Sequence, residues 1–211
     1  SPNGEILWST YFGGSNEDAI TGVDVMSGNL FITGFTNTGV YGTPVCDVPT
    51  DFGFPNCDQG SVIQQPHGGS FDAFVVKFRP TENMQWGTFL GGGGEEALSA
   101  IGFGNDLLTG PKVHLNDNLE ALVFGNTQSG ATNNVGDFPT NSDPSYYNQD
   151  LHAEDGIGLF RSDNFIVRYG FNGDLQWSTH FGGVTSAIDT DGEMAGGITS
   201  FGDRVYICGT T

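Results

Sequence analysis

Three sequence patterns recur in one order along this chain of 211 residues, and the repetition limits the possible folds more than any other feature. The first pattern surrounds a tryptophan, in ILWSTYFGG (6–14), MQWGTFLGG (84–92) and LQWSTHFGG (175–183). The second ends near a glycine, in LFITGFT (30–36), ALVFGNT (121–127) and VYICGTT (205–211). The third is FDAFVVKFRP (71–80) and SDNFIVRYGF (162–171). Such ordered recurrence indicates a repeat protein.

Each pattern has the composition of a β-strand. Apolar and β-branched residues dominate the patterns, and short segments rich in Gly, Asn, Asp and Pro separate them. A further strand, the inner strand, is predicted at GVDVM (22–26), SAIGF (99–103) and GGITS (196–200). Each unit would then hold four antiparallel strands, which is typical of a β-propeller blade. The predicted fold class is therefore all-β, a β-propeller with only part of its ring in this chain.

The repeats also predict boundaries within one partial propeller domain, 1–211. They predict the outer strand of a preceding blade (5–13), a blade (20–91), a second blade (97–183) and the first half of another (192–211). Both whole blades are long because of insertions between their second and third strands, at 37–70 and 128–161. Because an open ring leaves strand edges unpaired, we expect the remaining blades from the same polypeptide or from another chain.

The repeat resembles SBBP, a bacterial family of seven-bladed β-propeller repeats. The matching segments are Gly13-Gly14-Ser15-Asn16-Glu17-Asp18, Asp24, Ser27-Gly28-Asn29, Thr33-Gly34-Phe35-Thr36 and Asp137-Phe138-Pro139-Thr140. The second unit departs from the family, since GFGNDLLTGPKVHLNDNLE (102–120) replaces the short Ser-Gly-Asn turn. The resemblance implies a secreted or surface protein, often large and multidomain, and it is not tied to one reaction.

The charge of the chain excludes one class of partner. Asp and Glu total 25 against 6 Lys and Arg, which gives a net charge of -19 with the basic residues scattered. A nucleic-acid-binding surface needs a basic patch, so no nucleic-acid partner is expected. No apolar run is long enough to cross a bilayer, so no membrane insertion is expected either.

Acidic residues recur just after the Gly-Gly of each unit. This set is Glu17, Asp18, Glu95, Glu96, Asp189, Asp191 and Glu193. Carboxylates that converge at one end of a propeller are hard oxygen ligands suited to Ca2+, the one cofactor that the sequence offers. The alternative is that they are solvated turn acids that cap strands.

Two cysteines, Cys46 and Cys57, lie in the first insertion, in a loop rich in Pro, Gly and Asp. A disulfide between them would fit an oxidising compartment, while two free thiols or half of a metal site are the alternatives. Cys208 lies in an apolar strand and is interpreted as a buried core thiol.

Aromatic residues divide into two groups. The repeated Trp8, Trp86 and Trp177 are interpreted as core between blades rather than as sugar-stacking platforms. The insertion aromatics are candidate binding residues, with anchoring of their own loops as the alternative: Tyr41, Phe52, Phe54, Phe138, Tyr146 and Tyr147. His180 takes a position that is aromatic in the other units, and His114 is placed in a loop.

These patterns predict a non-catalytic scaffold, extracellular or on the bacterial cell surface, that belongs to a larger protein. Its insertions would bind or display a surface for glycan or protein, including secretion or surface machinery. No catalytic residue is assigned, because no nucleophile or zinc-protease motif occurs. The alternatives are a secreted hydrolase or lyase acting on polysaccharide, and a purely structural spacer of an adhesin.

Overall fold

A computed structural model describes residues 3–39, 53–55, 68, 71–79, 83–96, 110–129, 138–139, 162–182 and 193–210. All regular structure in these ranges is β-strand. The strands are β1 (Asp18–Met26), β2 (Asn29–Thr36), β3 (Asp72–Phe78), β4 (Met84–Leu90), β5 (Lys112–Leu115), β6 (Ala121–Thr127), β7 (Asp163–Tyr169), β8 (Leu175–Phe181), β9 (Met194–Phe201) and β10 (Arg204–Thr210).

The strands form three antiparallel sheets in chain order. The first sheet is β1-β2-β3-β4, the second is β5-β6-β7-β8, and the third contains β9 and β10. Equivalent glycines pair with equivalent phenylalanines, since Gly34 lies opposite Phe74 and Gly125 lies opposite Phe165. The repeat predicted from the sequence is therefore a repeat of the four-stranded antiparallel sheet.

Tight turns set the register of two hairpins. Ser27 and Gly28 join β1 to β2 with φ angles of 51° and 75°. Two consecutive left-handed residues make the turn whose twist matches that of antiparallel strands. Gly202, with φ of 60°, begins the two-residue turn between β9 and β10. The first of these turns is the Ser-Gly-Asn turn of the sequence repeat.

The inner strand of the second sheet corrects one prediction. SAIGF (99–103) lies outside the described residues, and the strand that pairs with β6 is β5, which contains His114. His114 is therefore in a strand and not in a loop. A longer turn follows it, in which the Asn116 side-chain oxygen accepts hydrogen bonds from the backbone of Asn118 and Glu120, both at 3.0 Å.

Residues 5–13 were expected to form an outer strand, but they carry no strand assignment. The segment still packs on the first sheet through Phe12. The Phe12 ring centre lies 5.6 Å from that of Phe74 and 5.9 Å from that of Phe78. It thus covers part of the face of the first sheet that carries Phe74 and Phe78.

The main core lies between the first and second sheets. Alternate residues of each strand face it, including Phe31 and Val75 from the first sheet and Phe165 and Tyr169 from the second. The other face of the first sheet buries a second set, Ile32, Phe54, Phe74, Val76, Phe78, Met84 and Phe89. Since side chains of a strand alternate between faces, both faces of this sheet are buried.

Trp86 joins the two sheets, as the repeat predicted. Its ring packs against Phe31 of its own sheet and Tyr169 of the next, with centres 5.7 and 5.9 Å apart. Its Nε1 donates to the Phe171 carbonyl at 3.1 Å, and Lys77 Nζ donates to the same oxygen at 2.7 Å. Burial, followed by the charge of Arg79, lowers the pKa of Lys77 to about 8.

The other two tryptophans differ from Trp86. Trp8 is 41% exposed and Trp177 is half-buried, so the core interpretation holds fully for Trp86 alone among the three. Cys208 also differs from its interpretation, because it is an exposed free thiol rather than a buried one. Its strand, β10, pairs only with β9 in the described part of the chain, so no third strand covers it.

We expect the substitution W86F to lower the free energy of unfolding by about 1–3 kcal/mol, because it removes the hydrogen bond to Phe171 and part of a buried ring. Urea unfolding followed by far-UV circular dichroism would measure the change. The matched substitution W8F, at an exposed copy of the same repeat position, should change stability by less than about 0.5 kcal/mol. Equal effects would contradict the bridging role of Trp86.

Candidate functional site

The repeated acids lie at the junctions between successive sheets. Glu96 is fully buried between them. Its backbone N–H donates to the Phe71 carbonyl of the first sheet at 2.8 Å. Its Oε1 accepts hydrogen bonds from Oγ1 of Thr127, the last residue of β6, at 2.7 Å, and from Oγ of Ser129, two residues after that strand. One residue therefore connects the third strand of one sheet to the second strand of the next.

A second carboxyl group lies beside Glu96. A Cβ atom added to Gly91 would overlap Glu96 Oε2 and lie 2.9 Å from Asp72 Oδ1, so both carboxyls fill the space that glycine leaves. Burial, followed by the charge of Asp72, raises the pKa of Glu96 well above its ordinary value, although the Ser129 and Thr127 hydrogen bonds oppose the rise. The pair favours a proton on Glu96 in the folded state.

The next junction repeats this arrangement. A Cβ atom on Gly182 would lie 2.7 Å from both Asp163 Oδ1 and Glu193 Oε2. Glu193 Oε2 accepts a hydrogen bond from the Asn164 side chain at 3.0 Å. Both acids are buried, Glu193 at 2% exposure. The junction thus uses an amide where the preceding one uses hydroxyl groups.

At the equivalent position before the first sheet, the acid is Asp18. Asp18 Oδ1 accepts from Thr36 Oγ1, and Asp18 Oδ2 accepts from Gly14 N–H at 2.7 Å. The Glu17 and Glu95 carbonyls accept equivalent backbone hydrogen bonds, from Asn37 and Gln128, both at 2.9 Å. Asp18 thus lies at the start of β1 and Glu193 directly before β9, and at each of the three positions the acid accepts a side-chain hydrogen bond from a neighbouring strand.

The sequence predicted Ca2+ binding or solvated turn acids at these positions. Within the described ranges, no group of three or more His, Cys, Asp or Glu residues is arranged to hold a metal ion. Glu96 and Glu193 are buried, whereas Glu17 is exposed and Asp18 and Glu95 are half-buried. Asp189 and Asp191 lie outside the described residues, so the Ca2+ prediction for the full set stays a prediction.

The two insertion aromatics that the structure describes occupy equivalent sites. Phe54 packs on Phe74 and Phe89, with ring centres 4.9 and 5.3 Å apart. Phe138 packs on Phe165 and His180, at 4.8 and 5.1 Å. Phe54 is 4% exposed and Phe138 is 2% exposed. Both are followed by proline, and both anchor their insertion to its own sheet, which was the alternative to ligand binding.

The remaining predicted site residues are not described. Tyr41, Phe52, Tyr146 and Tyr147 lie outside the described residues, as do Cys46 and Cys57. His180 is fully buried against Phe138, as expected of a strand-packing residue.

A polar chain that the sequence analysis missed crosses the three sheets along their inner strands. Asp24 in β1 lies 3.3 Å from His114 in β5, measured from Oδ2 to Nδ1. His114 Nε2 in turn lies 3.0 Å from Ser200 Oγ in β9. Leu115 N–H donates to Asp24 Oδ2 at 2.7 Å and Val25 N–H donates to Oδ1 at 2.8 Å, so the carboxylate is held in place.

The spacing of the repeat is the sequence signal from which this polar chain of Asp24, His114 and Ser200 could have been predicted. Asp24, His114 and Ser200 are separated by 90 and 86 residues, close to the offset of about one unit, so all three fall on inner strands. The signal was hidden because β5 has only four residues and the sequence around it departs from the repeat.

Comparison with known proteins adds no family to these observations. No protein-family model matches the chain, and no curated protein matches it at a significant level. The resemblance to SBBP repeats therefore stays a prediction. No helix in the described residues is long and apolar enough to cross a membrane.

We expect the substitution E96Q to stabilise the protein at pH values above the ordinary pKa of a glutamate carboxyl group. The raised pKa means that the folded state holds a proton that the unfolded state releases, so stability falls as pH rises above about 4.5. The glutamine amide oxygen can still accept from Thr127 and Ser129, and the amide needs no such proton. At pH 7 the melting temperature should rise by at least about 2 °C, and the gain should disappear near pH 4.

The control for this measurement is E95Q, which changes the neighbouring half-buried carboxyl. It should alter the melting temperature little and should do so equally at both pH values. A lower melting temperature for E96Q at pH 7 would show that Glu96 acts as a stabilising carboxylate.

Proposed function

We propose that the chain is part of a secreted or surface-exposed β-propeller scaffold whose insertions present a binding surface for glycan or protein. The equivalent anchoring of Phe54 and Phe138 carries this proposal. In both sheets the phenylalanine of one Phe-Pro pair packs on the third and fourth strands. Both insertions are thereby attached at the same point of successive four-stranded sheets, which is the arrangement expected if they present one binding surface together.

The arrangement of the inner strands supports blades around a common axis. β1 contacts β5, and β5 contacts β9, so the first strands of the three sheets are neighbours. Thr21 Oγ1 donates to the Pro111 carbonyl at 2.7 Å, and Lys112 Nζ donates to the Thr21 carbonyl at 3.2 Å. Radially arranged sheets whose inner strands meet in this way are the basis of a propeller.

Exposed apolar side chains at both ends of the series of three sheets support the presence of further blades. Before the first sheet and on β1, the large exposed apolar residues are Ile6, Leu7, Trp8, Tyr11, Ile20, Val23 and Val25. At the opposite end they are Phe181, Met194, Phe201, Val205 and Tyr206. Exposed apolar groups of this extent are typical of interfaces. Neighbouring blades, from this polypeptide or another, would cover them.

The burial of the carboxyl pairs favours a binding role over a polysaccharide hydrolase or lyase. Hydrolysis of a glycosidic bond needs two carboxyls that flank the sugar. Asp72 and Glu96 are fully buried, and Asp163 and Glu193 are at most 5% exposed. A polysaccharide could not reach either pair in this structure.

We expect the insertions to be replaceable without loss of the fold. Residues 56–67 and 140–160 would be exchanged for shorter Gly/Ser segments that keep both Phe-Pro anchors. Since loop closure entropy changes slowly with length, cooperative melting should be retained within a few degrees. Binding to a panel of soluble polysaccharides and purified surface proteins should be lost in the exchanged protein. Unfolding of the exchanged protein, or unchanged binding, would contradict the display role.

The proposed extracellular location predicts a disulfide between Cys46 and Cys57. Alkylation of the secreted protein without reductant, followed by peptide mass spectrometry, should leave these two cysteines linked. The exposed Cys208 should be alkylated in the same sample and serves as the internal control. Alkylation of Cys46 and Cys57 without reduction would remove the support for an oxidising compartment.

A further inference from the structure

The polar chain on the inner strands has the connectivity of a nucleophile, a base and a group that orients the base. A carboxylate only accepts hydrogen bonds, so Asp24 requires the proton of a neutral His114 to lie on Nδ1. The lone pair of Nε2 is then directed to Ser200 Oγ, 3.0 Å away, and the hydroxyl donates to it. This proton arrangement is the one in which an imidazole can act as a general base towards serine.

The site is held in place and is also reachable. Two backbone N–H groups fix the Asp24 carboxylate, at 2.7 and 2.8 Å. The side chains of His114 and Asp24 are 24% and 30% exposed, and Ser200 is half-buried.

The backbone N–H of Ser200 is a hydrogen-bond donor beside its own hydroxyl group, and the turn after β9 fixes its direction. Phe201 and Arg204 flank the two-residue turn and form the pair that closes it. In a two-residue hairpin this closing pair is hydrogen-bonded, so the N–H of Ser200 points to the opposite edge of β9, away from β10. A backbone N–H of the nucleophile itself is a common donor to the oxyanion of an acyl-transfer intermediate.

We propose that Ser200, His114 and Asp24 form an acyl-transfer site for small esters. Ser200 Oγ attacks the ester carbonyl while its proton moves to His114 Nε2. The carbon–oxygen bond to the alcohol then breaks, the alcohol leaves with that proton, and an acyl ester remains on Ser200. Water attacks this ester with His114 as base, and the carboxylic acid leaves as the proton returns to Ser200. Asp24 is a positioning residue that holds the tautomer of His114.

The charge of the chain limits the substrate. With a net charge of -19 and Asp24 at the site, anionic acyl groups are repelled, so neutral or cationic esters are the expected class. This activity goes beyond the proposed display role and does not depend on it.

The test uses the full chain with p-nitrophenyl acetate and with a neutral alkyl fluorophosphonate, and it locates the adduct by peptide mass spectrometry. We expect modification at Ser200 in the native protein and none at this position in S200A. Because general-base assistance contributes about 10²–10⁴-fold, H114Q should slow the modification by a factor in that range. The substitution T199A, at the exposed hydroxyl next to Ser200, should leave the rate unchanged.

Asp24 is tested separately with D24N, whose amide oxygen can still accept the hydrogen bond from Leu115. Its melting temperature should stay close to that of the native protein, while the rate of modification falls at least about 10²-fold. The ¹⁵N shifts of His114 should show a protonated Nδ1 in the native protein and a changed tautomer ratio in D24N. Absence of modification in the folded native protein would overturn the proposal. Equal rates of p-nitrophenyl acetate hydrolysis by S200A and the native protein would also overturn it.

Discussion

The packing of one sheet face on the next is the interaction on which the rest of this structure depends. The first sheet buries both of its faces, one against the second sheet and the other under Phe12 and Phe54. Every strand of this sheet except β1 is therefore covered on both sides, which explains the nearly uniform burial of β2, β3 and β4. The junction acids and the inner-strand polar chain lie at the margins of the sheets, while Lys77, a charged residue buried within the first sheet, donates to the Phe171 carbonyl.

The sequence was sufficient to predict the strands that repeat. The Trp-containing and Gly-containing patterns correspond to β4, β8, β2, β6 and β10, and the long insertions lie between second and third strands as expected. These predictions succeeded because an alternating strand and a tight turn are local features, encoded by neighbouring residues. Closure of a propeller, in contrast, depends on contacts between sheets that are far apart in the sequence, and no local pattern encodes such contacts.

The predictions that failed concern contacts between distant residues. Cys208 was placed in a core because its strand is apolar, but burial depends on whether another strand covers that strand. His114 was placed in a loop because KVHL is too short to show a period, and only pairing with β6 makes it a strand. The carboxyl pairs of Asp72 with Glu96 and of Asp163 with Glu193 join positions 24 and 30 residues apart, which the acidic composition alone did not reveal.

The Phe-Pro anchors divide each insertion into two segments. The first insertion continues from β2 to Phe54 and then from Pro55 to β3, and the second is divided in the same way by Phe138 and Pro139. Each four-stranded sheet therefore carries its insertion as two chain segments, and the entropy of loop closure applies to each segment separately. Evolution can lengthen or exchange one segment without moving the anchor of the other, so the two sheets together carry four separately variable segments.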